Sequence, residues 1–135
     1  LNRIWQSLES PSGGQALVEL ALTLPILLLI LMSALDLGRA FYYQVSIANA
    51  AREGVRVASL TGSDSQIREA VRNEVVSTVF LSDAGISISP PSPRLPGHPV
   101  TVTVSYEFDV LTPIVSSVLG RDSLTLSASA VAVVQ

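Results

Sequence analysis

Apolar side chains dominate Gly14 to Leu37, GQALVELALTLPILLLILMSALDL, where only Glu19 near one end and Asp36 near the other carry charge. Roughly twenty such residues match the length of a helix that crosses a bilayer core. A helix apolar on every side has no face for water, so this one is expected against lipid or among other helices. The helical pattern continues from Gln15 to about Leu60, a rod of about 70 Å. Pro25 lacks an N–H and deprives the Ala21 carbonyl of its partner, which predicts a bend or a loosened turn that Thr23 partly satisfies.

Beyond Asp36 the pattern turns amphipathic. Phe41, Val45, Ala48, Ala51 or Arg52, Val55 and Ala58 recur at helical spacing and predict the face that meets a globular partner. Asp36 and Arg39 are spaced to pair along one face. Tyr42 and Tyr43 stand just past the apolar run, where aromatic rings suit a membrane boundary or a contact between subunits. Small residues at Ala48, Ala50, Ala51, Gly54 and Ala58 favour close packing of the helix rather than chemistry on it.

Ser63, with Gln66 three residues on, fits a capping box for a second helix from about Ser65 to Leu81, with Ile67, Val71, Val75 and Val79 inward. Arg68, Glu69 and Arg72 read as its solvated face, and Glu69 and Arg72 are spaced to pair. Ile86–Ser89 alternates as a short strand, and the proline-rich run from Pro90 to Pro99 is a loop. Val100 to Phe108 alternates as a half-buried strand. Asp109 to Gly120 suggests a turn and a short helix. The last strand, from Ser123 to Val134, turns apolar on both sides towards its end, through Val131 and Val133, which suggests a covered or central position. The fold class expected is α+β: a long N-terminal helix, a second helix and an antiparallel sheet of about three strands.

Composition narrows the chemistry. At 135 residues there is room for one compact domain beside the long helix. The net charge of −3 offers no basic footprint, so no nucleic-acid partner is expected. With no cysteine there is neither a disulfide framework nor thiol chemistry. His98 stands alone in the proline-rich loop, and neither a metal site nor a cofactor is expected. No catalytic residues are assigned, since no nucleophile–base pair or phosphate-binding glycine loop is present, and an enzyme is not expected.

Residues 14–19 resemble a class III, type IV pilin-like signal, which a prepilin peptidase cuts after a glycine and in which a glutamate stands fifth in the mature chain. Gly14 would precede the cut, Gln15 would become the N-terminus and Glu19 the fifth residue. Further along, Glu19, Pro25, Asp36-Leu37-Gly38-Arg39 and Ala51-Arg52-Glu53-Gly54-Val55-Arg56 resemble, in the same order, the TadE-like family of pilin-related proteins of Tad-type pili. That resemblance implies a lollipop divided into a leader or tail (1–14), a transmembrane or filament-core helix (15–37) and a small head (38–135). It implies an assembly role for Glu19 and Pro25, and helix packing for Asp36, Arg39, Ala51, Arg52 and Gly54. The partners it implies are copies of the same chain in a helical filament, the membrane before assembly, a prepilin peptidase and pilus assembly machinery.

Two forms of the N-terminus remain open. If the chain is cut, the amine of Gln15 on a neighbouring subunit is the natural partner of Glu19. If residues 1–14 stay, Glu19 lies near a helix N-terminus, where the dipole favours a negative charge. In that form Ile4, Trp5 and Leu8 make a short amphipathic turn, broken by Ser10 to Gly14. Arg3 precedes the span while Arg39 follows it, so charge does not set the orientation, and N-terminus-inside rests on the resemblance. Three roles are compatible with the chain: a filament subunit exported from the inner membrane, with adhesion among its uses; a minor initiating or tip component; and a single-span anchored binding module.

Overall fold

The computed structural model describes residues 11–60, 62–75, 79, 81–82, 85–112, 116–117 and 120–135. A single helix, α1, runs from Pro11 to Ser59. It begins before the expected start and takes in Pro11 to Gly14; proline is tolerated in a first helical turn, where its missing N–H has no intrahelical partner. The amphipathic turn expected around Ile4, Trp5 and Leu8 lies outside the described residues.

α1 passes through Pro25 as continuous helix. The Thr23 hydroxyl donates to the carbonyl of Glu19 at 2.7 Å, not to that of Ala21. The carbonyl four residues back is the one a helical threonine reaches. Ser33 does the same with Leu29 at 2.8 Å.

In its second half α1 buries Ile47, Ala50, Ala51, Val55 and Ala58. The inner face is therefore rotated from the expected stripe: Phe41 is 71% exposed and Val45 44%. Small residues set this face, because they let the helix backbone approach its neighbours. At Gly54 a Cβ would stand 2.6 Å from Val71 Cγ2 and 3.1 Å from Val102 Cγ1, so the helix closely approaches both neighbouring elements there.

α2 spans Asp64–Glu74 and starts with the expected capping box of Ser63 and Gln66. Ile67 and Val71 are its buried residues. It is shorter than expected, since Val75 is already extended. The β-branched run that begins at Val75 gives helix little support. Val79 is nonetheless buried. Arg68, expected in solvent, donates to the carbonyl of Ile86 at 2.8 Å and ties α2 to the sheet.

Three antiparallel strands follow in the order β1 (Ile86–Ser89), β2 (Pro99–Asp109), β3 (Ser123–Val133). Register pairs Ile88 with Val102, and Val102 with Ala130. Alternation puts Val100, Val102, Val104 and Phe108 in the core. The central strand is β2; β3 lies at the edge, with Val131 63% and Val133 55% exposed, contrary to the covered position expected from their apolar character. Among the described residues the expected short helix between β2 and β3 is represented by Ser116 and Ser117, and the rest of it lies outside them.

The proline-rich loop is fastened to the start of α2. Ser92 Oγ donates to Asp64 Oδ1 at 2.9 Å, Arg94 pairs with the same carboxylate, and Arg94 Nη1 donates to the Gly62 carbonyl at 2.9 Å. At the end of the chain Gln135 N donates to the Ser59 carbonyl at 2.9 Å, closing the head onto the last turn of α1.

Candidate assembly helix and its junction with the head

Across the first half of α1 the large apolar side chains face outward: Leu17, Leu22, Ile26 and Ile30 are each about three-fifths exposed or more. The helix contains a window long and apolar enough to cross a membrane, and none of that window is buried within the chain. The head covers only the second half. The protein thus has an unpartnered apolar rod continuous with a packed α+β head, a pilin-like arrangement.

Gly14, Gln15 and Glu19 are exposed on this rod, and a Cβ at Gly14 would meet nothing within 4 Å. Pro25 is also exposed within it. None of these four residues is brought against the head.

Asp36 is different. It is 5% exposed, and its Oδ2 accepts from Leu111 N at 3.1 Å, from Thr112 N at 2.8 Å and from Thr112 Oγ1 at 2.6 Å. Its Oδ1 accepts from Arg39 Nη1 at 3.2 Å, the pairing expected from their spacing. The Arg39 guanidinium also lies over the rings of Phe108, 5.1 Å from the centroid, and Tyr43, 5.9 Å away. Tyr43 in turn packs edge-on against Tyr106 and Phe108, with centroids 5.6 and 5.7 Å apart. Cation–π and edge-to-face contacts of this kind each add modestly to apolar burial. Asp36 and Arg39 thereby join the last turn of the apolar rod to the end of β2. Tyr43 belongs to this inner cluster, while the adjacent Tyr42, its ring centroid 6.0 Å from that of Tyr43, is 55% exposed.

Of the remaining residues named for packing, Ala51 and Gly54 are buried, Gly54 facing Val71 of α2 and Val102 of β2. Arg52 is exposed and donates to Asn49 Oδ1 at 3.1 Å, so it lies on the outer face. Glu53 and Arg56 form an exposed pair, with Arg56 Nε 2.8 Å from Glu53 Oε2. The hydrogen bond from Arg56 holds the Glu53 carboxyl below its ordinary value. Leu111 and Thr112 were missed in the sequence because they carry no motif. The one signal for them was an aspartate at the end of an apolar run, which requires donors from somewhere.

The family model described as TadE-like protein matches residues 14–56, which covers the apolar rod, the Asp36–Arg39 step and the packed AREG segment of α1. The resemblance read from these motifs is thereby shown over that stretch. Over those residues, about a third of the chain, the protein is similar to TadE-like proteins. No curated protein and no solved structure matches the chain.

Proposed function

We propose that the chain is a pilin or pseudopilin subunit, anchored in the membrane by residues 15–37 and polymerised through that helix into a pilus-like filament outside the cell. The observation that carries this reading is the apolar window of α1, none of which is buried within the chain. Lipid covers such a surface before assembly and neighbouring helices cover it afterwards, so one rod serves both states. Residues 38–135 form the head displayed on the outside. Glu19 sets the axial register between subunits, and Pro25 removes one backbone bond and gives the packed helices local compliance. A prepilin peptidase cutting after Gly14 and the pilus assembly machinery are the partners required.

A photo-crosslinking residue at Leu24 or Leu28 tests this in the producing cells. The filament subunit gives a ladder of adducts between copies of the chain. Adducts confined to a different, more abundant subunit would assign it as a minor component, and adducts to lipid alone would leave it as an anchored module.

A further inference from the structure

We infer that the head sits on the membrane surface before assembly, with Leu111, two residues past the end of β2, entering the lipid interface beside the emerging helix. This rests on the anchoring role of residues 15–37. Leu111 is 63% exposed, yet its backbone N–H is bonded to Asp36 Oδ2 at 3.1 Å, so its position along α1 is fixed. The rod from Leu17 to Leu35 is about 28 Å long at 1.5 Å per residue, close to the roughly 30 Å of a hydrocarbon core. Asp36, and Leu111 with it, therefore falls at the level where hydrocarbon gives way to headgroups.

Round the rest of α1, within about 9 Å beyond Asp36, further apolar and aromatic side chains are exposed. Leu37 is 73% exposed, Phe41 71% and Tyr42 55%. Phe41 stands about 8 Å beyond Asp36 along the helix, within an interfacial layer of about 5–8 Å on each side of the core. Apolar and aromatic groups thus surround the point of emergence, on the head side through Leu111 and round the rest of α1 through these side chains. A bilayer surface meets all of them at once, whereas a second copy docked on one side covers part of the collar. Amphipathic rings and leucines at this depth are favourable in the interface.

The chain has no cysteine, which permits single-cysteine labelling of all 135 residues as one piece. An environment-sensitive fluorophore is placed at Leu111→Cys, Tyr42→Cys, Ile30→Cys and Leu95→Cys, the last exposed in the proline-rich loop. Each variant is reconstituted at low density in phosphatidylcholine–phosphatidylglycerol vesicles containing lipids spin-labelled near the headgroup or deep in the chain. The expected result is a loss of emission at 111 matching that at 42 with the shallow quencher, quenching at 30 with the deep one, and none at 95. If 30 is quenched and 111 behaves like 95, the inference is overturned while the anchor stands. If 30 is not quenched either, the anchoring reading fails. Shielding at 111 that follows protein density and ignores the lipid quenchers assigns the patch to a second copy and also overturns the inference.

Discussion

Replacing Asp36 by alanine strips the junction of one acceptor for three donors, of which the two on Thr112 are buried. Hydrogen bonds to a charged group contribute about 1.5–3 kcal/mol each, but the three from Leu111 and Thr112 converge on a single oxygen and are not additive. The Arg39 side chain is 38% exposed, so its ion pair with Oδ1 adds little, about 0–1 kcal/mol. Thr112 is fully buried and cannot recover its hydrogen bonds from water without opening the loop. Removing one partner of such a buried charged cluster costs about 3–5 kcal/mol, a large share of the roughly 5–15 kcal/mol that stabilises a domain. Asp36→Asn retains one acceptor oxygen for Thr112 but turns its NH₂ towards Arg39, and is expected to lose about half as much. Hydrogen exchange of the full chain in detergent micelles reads this directly: protection of the Leu111 and Thr112 amides collapses in Asp36→Ala and falls part-way in Asp36→Asn. Unchanged protection of Thr112 in Asp36→Ala, with urea unfolding of the head unmoved, would refute the latch.

Other predictions test other parts of the fold. Gly54→Ala gains about 1 kcal/mol of helix propensity but forces a methyl against Val71 and Val102, and overpacking of about 1–3 kcal/mol leaves a net loss in denaturant unfolding. Val71→Ala in the same chain restores much of it, and equal stability of wild type and Gly54→Ala would sink the close-approach explanation. At Asp64, burial pushes the carboxyl up, but hydrogen bonds from Ser92 and Arg94 and the Arg94 charge outweigh it and hold the group below 3.8. Its contribution is therefore present above the ordinary carboxylate value and fades as pH falls through the lowered one, so wild type and Asp64→Asn differ in stability near neutrality and converge in acid. A gap between them that stays constant with pH would contradict that assignment. Glu19→Ala is expected to lower filament yield without altering unfolding of the head, since Glu19 is exposed on the single chain. Filaments at wild-type abundance would remove its role in register.

The elements legible from pattern were those whose periodicity runs unbroken along their length. The apolar run gave α1, strict alternation gave β2, and the Ser63–Gln66 pair gave the start of α2. Errors arose where size and polarity disagreed. Phe41 and Val45 entered the expected inner stripe because they are large but are exposed, whereas the small residues Ala50, Ala51, Gly54 and Ala58, which the pattern had marked for close packing, are buried. Val131 and Val133 suggested cover but lie at an exposed edge. Asp36 and Arg39 were visible as a pair, but Leu111 and Thr112 lie 75 and 76 residues from Asp36, and two of the three bonds use backbone N–H groups that no sequence distinguishes.

The most direct test of the filament role is electron microscopy of material sheared from the producing cells, with intact-mass analysis of this chain in the same fraction. The account predicts filaments composed chiefly of this chain, with a mass that shows whether it starts at Gln15. A scarce species retained in the membrane, while another subunit builds the fibre, would contradict it.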